Sequence, residues 1–263
     1  MATSGVFNKI KSSIQDGTRE ISRAASGINT EIQQTAANNN LNNPLPSDFA
    51  SELNKASKIL NSFTDSSKVE GVDQHAIPKE IFKNALGLAI FTVVKAGFFW
   101  SGRVGSGLVI ARLEDGSWSP PSCINIGGVG FGPQIGADVT DFVIILNTKE
   151  AVKAFSRGEN LTLGGSLSVI AGPVDIGGEI SGSVIEAAPL YSYSKSKGLF
   201  AGVSLEGTII IERKDANNAF YGKQVSVEDI LTGKVEAPSG KIDALYSSVK
   251  FAEEREKNHD HPH

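Results

Sequence analysis

Two glycine-rich segments dominate the middle of this sequence: GFFWSGRVGSGLVIAR, from Gly97 to Arg112, and GGVGFGPQIGAD, from Gly127 to Asp138. Their glycines stand at short, irregular intervals among aromatic and β-branched residues. Glycine weakens both helices and strands, so neither a straight helix nor a regular strand favours this pattern. A sharply bent sheet does favour it, because bulges, kinks and close approaches between backbones need residues without a side chain. The two segments therefore predict the curved centre of a β-rich domain.

A glycine-rich loop that binds phosphate is the competing interpretation, because such loops present backbone N–H groups at the start of a helix. The spacing argues against it. Gly128, Gly130 and Gly132 form G-x-G-x-G rather than the dinucleotide pattern G-x-G-x-x-G, and Pro133 lacks an N–H donor. Neither segment ends in the Gly-Lys-Ser/Thr of a P-loop. We therefore predict that the glycines are structural and that the chain binds no cofactor.

The flanking sequence carries both strand and helix patterns. DFVIILN, from Asp141 to Asn147, is a continuous apolar run typical of a strand buried on both faces. Apolar and polar residues alternate around 161–169 and 203–212, as in half-exposed antiparallel strands. Helices are predicted at residues 79–86, 149–157, 227–231 and 241–255. We predict an α+β fold, a single β-rich domain with a strongly curved, glycine-rich, mainly antiparallel sheet and flanking helices.

A further amphipathic helix is predicted after Pro44 and Pro46, with Ser47 or Asp48 placed to cap it. Its apolar residues step by three and four positions along one face, with lysines beside them. The apolar stripe consists of Phe49, Leu53, Ala56, Leu60 and Phe63, and the lysines are Lys55 and Lys58. Two interpretations are open: the stripe packs on the domain, or it inserts into a membrane interface.

Residues 1–43 differ from the rest in being rich in Ser, Thr, Asn and Gln. A weak helical face is nevertheless visible in the recurrence of Phe7, Ile10, Ile14, Ile21 and Ile28. Such a segment could lie on a membrane, pair with another helix, or stay unfolded until bound. We predict a flexible or amphipathic arm at 1–43, a folded domain at 44–255 and a disordered tail at 256–263.

Charge and histidine distribution exclude several functional classes. The formal net charge of −4 lacks the basic excess of a general nucleic-acid-binding protein, so we expect no nucleic-acid partner. Residues 76–258 contain no histidine, which excludes a Ser-His-Asp centre or a histidine zinc site there. Asp138 and Asp141 could form a carboxylate pair, but turn and surface roles are favoured. The single cysteine, Cys123, favours a reducing compartment. We predict no enzyme activity, no catalytic residue and no metal site.

Several separated motifs, in order, resemble the SYLF domain family. They are IPKEIFKNALGLAIFTVVKAGFFWSGRVGSGLVIAR, GGVGFGPQIGAD, DFVIILN, GPV, YSYSKSKGLFAGVSLEG and YGKQVSVEDIL, and together they cover about Asn43 to Arg255. The resemblance implies a non-enzymatic, cytoplasmic module, peripheral to membranes or cortical actin sites. It also implies binding to phosphoinositide-containing membranes and to actin, in endocytosis or cortical actin organisation. The alternative that we keep is a carrier of a small hydrophobic ligand held within the curved β-sheet.

The resemblance also implies where lipid would bind. The family's N-terminal amphipathic helix, implicated in phosphoinositide binding, falls on NPLPSDFASELNKASKILNSF. The lipid-binding residues implied are Phe49, Leu53, Lys55, Lys58, Leu60 and Phe63. Asp48 and Glu52 accompany the two lysines, which departs from a strongly basic pattern. The actin-contacting residues are not assigned, and the SH3 domain that often follows this domain is not expected here.

Overall fold

The computed structural model describes residues 42–64, 76–156, 161–163, 169–171, 190–202 and 205–255. Within them the helices are α1 Phe49–Thr64, α2 Lys79–Asn84, α3 Lys149–Ser156, α4 Lys214–Tyr221, α5 Val227–Leu231 and α6 Asp243–Glu254. The strands are β1 Gly87–Ala111, β2 Ser122–Leu146, β3 Leu161–Leu163, β4 Val169–Ala171, β5 Leu190–Gly202 and β6 Leu205–Glu212. The tail and residues 1–41 of the predicted arm lie outside the described residues.

The long strand β2 lies at the centre of the sheet. It pairs with β1 on one side, from Gly87 opposite Leu146 to Val109 opposite Ser122. On its other side the first half of β2 pairs with β6 and the second half with β5, both antiparallel. The sheet is completed by β3 beside β6 and by β4 parallel to β5. The sheet of the described residues is therefore mainly antiparallel. The 25-residue strand β2 is its centre, and β6 and β5 share one edge of that strand.

Strand β1 folds back on itself. The N–H of Arg112 donates to the carbonyl of Leu86 at 2.8 Å, so the two ends of the strand lie side by side. Closer to the bend, a Cβ at Gly105 would lie 2.5 Å from the carbonyl oxygen of Thr92. The bend falls near Phe99, whose φ is 58° and where the register between β1 and β2 shifts. This doubled strand confirms that the glycine-rich segments form a strongly curved sheet.

Each face of this folded sheet carries its own hydrophobic core. On the outer face, Ile90, Leu108 and Val143 pack with residues of α1, α2 and α6. On the inner face, toward which a Cβ at Gly105 would point, residues including Phe91 and Ile144 pack with α3 and α5. Helices therefore flank the sheet on both sides, which confirms the predicted α+β class.

Most predicted elements have counterparts in the structure, with shifted ends. The helices predicted at 79–86, 149–157, 227–231 and 241–255 correspond to α2, α3, α5 and α6. Helix α4 was not predicted, because the apolar residues of its sequence KDANNAFY are mostly grouped at its end rather than spaced along one face over several turns. The buried residue of this helix is polar: Asn217 accepts a hydrogen bond from the N–H of Cys123 at 2.8 Å. A pattern based on apolar periodicity cannot detect such a helix.

Candidate functional site

The helix predicted to contact lipid, α1, lies on the outer face of the sheet. Its apolar stripe is buried in the outer core rather than exposed. Phe49 stacks on Phe220 of α4 with ring centroids 3.7 Å apart, and the Lys195 amine lies 4.8 Å from the ring centroid of Phe63. Leu53 and Leu60 belong to the same buried cluster. In this packed form the stripe stabilises the domain.

Lys55 is buried as well, in a cluster of polar groups beneath α1. Its amine lies 2.7 Å from Oε2 of Glu52, one helical turn earlier. The same amine donates to Oγ of Ser106 on β1 at 2.7 Å and to the carbonyl of Asn43 at 3.0 Å. Burial lowers the pKa of Lys55 below its usual value, and the Glu52 carboxylate opposes that shift. The lysine thus ties the helix to the sheet and to the segment that precedes the helix.

Glu52 is the centre of this polar cluster. Its Oε1 accepts hydrogen bonds from Oγ of Ser106 at 2.8 Å and from both the N–H and Oγ of Ser47, at 3.0 and 2.9 Å. The guanidinium of Arg213 lies 3.7 Å from the same oxygen. A buried carboxylate with two cationic partners and several donors is electrostatically satisfied. The arrangement fits a structural role, in which the polar cluster holds α1 on the sheet. An acid–base site would need a carboxylate facing a cleft.

Of the six residues predicted to bind lipid, Lys58 is exposed and the other five are buried. Contact of the five with a bilayer would require α1 to leave the sheet, so their role in lipid binding stays a prediction. The signal that could have placed Lys55 in the interior is Glu52, three residues earlier on the same helical side.

The two candidate carboxylates do not meet. Asp138 accepts hydrogen bonds from Thr140 and Ser196, whereas Asp141 accepts them from Thr92 and Asn42. Three positions apart on one strand, the two side chains lie on opposite faces. Across the described part of the chain, no group of three or more His, Cys, Asp or Glu side chains could hold a metal ion. In that same part, no helix is both long and apolar enough to cross a membrane.

A surface that the sequence analysis did not identify lies at the bend of β1. Phe99, Trp100, Val129, Phe131 and Ile135 are 51%, 67%, 68%, 56% and 59% exposed, and we call these five residues the apolar tip. The rings of Trp100 and Phe131 lie against each other, with centroids 4.6 Å apart. The available signal was the run of aromatic residues inside the glycine-rich segments.

Comparison with known proteins identifies a matching family model and several relatives of this chain. Residues 127–252 match the family model Ysc84, described as a Las17-binding protein actin regulator. The chain is 53% identical over 208 residues to an SH3 domain-containing protein of Schizosaccharomyces pombe, covering 78% of this chain and 48% of that protein. It is 50% identical over 208 residues to LAS seventeen-binding protein 3 of Saccharomyces cerevisiae, covering 78% of this chain and 45% of that protein.

The human SH3 domain-containing YSC84-like protein 1 is 48% identical over 218 residues, which cover 82% of this chain and 63% of that protein. The chain thus spans about half to two-thirds of the length of these relatives. No solved structure matches the chain significantly.

Proposed function

Because the chain belongs to the Ysc84 (SYLF) family of actin regulators, we propose that it is a non-enzymatic peripheral module that binds actin and phosphoinositide-containing membranes. In this proposal the module acts in endocytosis or cortical actin organisation, at the cytoplasmic side of a membrane. The observation that carries the proposal is the match of residues 127–252 to an actin-regulator model, together with about half of all aligned residues being identical in several relatives.

The actin part of the proposal is supported by what the relatives are named for. LAS seventeen-binding protein 3 shares 50% of its aligned residues with this chain, and the family model is that of an actin regulator. Identity of this extent over 208 residues supports the same domain fold. We infer that the domain contributes an actin-binding surface.

The membrane part is supported by the family resemblance of residues 43–63, and the charge of α1 limits how binding can occur. The solvent face of α1 carries Lys58, with Asp48 at its N-terminal end. A basic residue near an anionic bilayer contributes about 1 kcal/mol, so this face alone would bind weakly. The α1 surface is therefore an auxiliary contact unless the helix is released from the sheet.

The alternative function, a carrier of a small hydrophobic ligand, gains no specific support. Among the described residues, the inner face of the sheet is filled by side chains such as Phe91, Ile124, Ile144 and Phe155. A carrier would need that space for its ligand.

Two sedimentation experiments test the proposal. The full chain should pellet with actin filaments, and it should pellet with phosphatidylcholine vesicles that contain a phosphoinositide more than with vesicles of phosphatidylcholine alone. Raising the salt concentration should weaken the vesicle binding, because screening acts on charged headgroups. A chain that remains in the supernatant with both filaments and vesicles would contradict the proposal.

A further inference from the structure

We propose that the apolar tip is a membrane-docking surface whose aromatic and aliphatic side chains enter the interfacial layer of a lipid bilayer. The proposal rests on the membrane binding proposed above and names the surface that performs it. Large exposed apolar patches on a folded domain mark interaction sites. The tip places five exposed apolar side chains at one end of the doubled sheet.

The strand register explains why these side chains lie together. Trp100 of β1 pairs with Phe131 of β2, and the neighbouring pair is Gly102 with Val129. Side chains of paired residues lie on the same face of a sheet, so these three large residues form one continuous surface. Ile135 follows on the other side of the bend, where it pairs with position 98.

Trp100, Val129, Phe131 and Ile135 of the tip belong to the outer sheet face but lie beyond the helices that cover it. At the opposite end of the strands, α1, α2 and α6 bury Leu88, Ile90 and Ile110 of that face. Toward the bend, the same face remains exposed at Trp100 and Phe131. The apolar surface is therefore an uncovered continuation of a core face.

The backbone holds the tip in a projecting position. Phe99 has a φ of 58°, in a left-handed region that a bulky side chain seldom adopts. The pairing of β1 with β2 on both sides of the bend fixes that geometry. A turn that already presents Phe and Trp outward can enter a bilayer interface without the loss of conformational entropy that ordering a flexible loop would require.

Charge placement favours a lipid surface over other occupants. The apolar tip contains no charged residue, while Lys95 precedes Phe99 by four positions and Arg103 follows Trp100 by three. At about 3.3 Å per strand residue, the two cations lie roughly 10–13 Å behind the tip. Insertion of about 5–10 Å would place these long side chains at the level of anionic headgroups. Asp138 lies beside both cations, which leaves the group with a net positive charge.

Tryptophan fluorescence tests the proposal directly, because the chain has two tryptophans. In a Trp118→Phe variant of the full chain, Trp100 becomes the single reporter. Vesicles of phosphatidylcholine, phosphatidylserine and a phosphoinositide should shift its emission to the blue, and brominated lipids should quench it. Thermal unfolding of this variant, compared with the wild type, establishes that the fold is kept.

A matched pair of surface variants provides the second test. The double variant Trp100→Ser with Phe131→Ser should weaken binding to these vesicles by about tenfold or more, because two large apolar side chains are lost from the interface. Phe251→Ser, which changes a residue 49% exposed on α6, should bind like the wild type. Both changes affect exposed side chains, so both variants should keep the wild-type melting temperature.

The outcomes separate this proposal from the proposed function. If the wild type binds vesicles while Trp100 emission is unchanged and the double variant binds equally well, the tip is not the docking surface and membrane binding uses another one. If the wild type binds no vesicle, the tip proposal fails together with the membrane part of the proposed function, whereas the actin part is tested separately by filament sedimentation.

Two other occupants of the tip would also overturn the proposal. A second copy of the chain would give a dimer that the double variant loses in the absence of lipid. Coverage by residues 1–41 would appear as a red shift of Trp100 emission when that segment is deleted.

Discussion

At the scale of single residues, Gly105 sets how closely the two halves of β1 approach. A Cβ there would lie 2.5 Å from the carbonyl oxygen of Thr92, and this neighbour is backbone that cannot rotate away. We expect Gly105→Ala to lower the free energy of unfolding by about 1–3 kcal/mol, because one half of the strand must shift. Chemical denaturation measures the loss.

Gly102 provides the control for that substitution. It lies in the same strand, yet a Cβ at this position meets no atom within 4 Å. Gly102→Ala should therefore change the free energy of unfolding by less than about 0.5 kcal/mol. Equal losses for the two variants would show that strand propensity, rather than backbone crowding, determines where glycine is needed.

Lys55 and Lys58 occupy the same helix but different environments. Lys55→Met removes one partner of the buried pair with Glu52 and should cost about 3 kcal/mol of unfolding free energy, with Arg213 as the remaining nearby cation. Lys58→Met changes an exposed side chain and should cost less than about 0.5 kcal/mol. Denaturation without lipid measures both. If Lys55→Met were as stable as the wild type, the polar cluster would not hold the helix on the sheet.

At the scale of elements, the start of α1 carries a pH-dependent contribution. The Asp48 carboxylate accepts hydrogen bonds from the N–H and Oγ of Ser51, at 3.0 and 2.6 Å, and these bonds lower its pKa below the usual 3.8. Because the pKa is lowered by folding, this stabilisation is complete above that usual value and is lost as the pH falls through the lower, folded-state value.

Asp48→Ala should therefore destabilise the domain by about 1 kcal/mol at pH 7, the typical effect of losing a helix cap. The difference from the wild type should shrink as the pH falls below about 4, since the wild-type carboxylate is then protonated. Thermal melts of both proteins between pH 3 and pH 7 test the prediction. A difference that stays constant over this range would mean that Asp48 acts without its charge.

The helix α1 also shows what a single sequence can and cannot predict. The steps from Phe49 to Leu53 and Phe63 predicted an apolar stripe, and the stripe is present. The pattern could not decide whether protein or lipid covers it, because both are apolar. The choice depends on partners distant in sequence, such as Phe220, which lies 171 positions after Phe49.

The glycine-rich segments had a similar limit. Their composition predicted curvature, and β1 and β2 are strongly bent. It could not predict that the two halves of β1 fold against each other, because such contacts are made between residues distant along the strand. It also gave no warning that Trp100 and Phe131 are exposed, since large apolar residues are buried by default.

At the scale of the whole molecule, the folded part begins no later than Asn42. Its amide donates to Asp141 at 2.8 Å, and the carbonyl of Asn43 accepts from Lys55. Asn42 and Asn43, which the sequence analysis assigned to the arm because of its composition, therefore contact the domain. A deletion that tests the arm should end at residue 41.

We expect deletion of residues 1–41 to change the free energy of unfolding by less than about 0.5 kcal/mol, because we predict that these residues form an arm outside the folded domain. The same deletion should reduce binding to small, highly curved vesicles more than to large ones, since a weakly charged amphipathic segment depends on apolar insertion. Flotation with vesicles of two diameters measures this difference. A substantial loss of stability would instead indicate that the segment packs on the domain.

The doubled strand β1 also restricts how the chain can misfold. Gly105 and Gly107 face the carbonyls of Thr92 and Ile90, where a side chain would collide with the backbone. A slip by one residue would place Ser106 and Leu108 at those positions, and a slip by two would place Arg103 or Val109 at one of them. Every nearby alternative alignment is therefore sterically blocked, whereas hydrophobic alternation alone would tolerate a slip by two. The spacing of Gly105 and Gly107 therefore selects a single alignment of the second half of β1 against the first half.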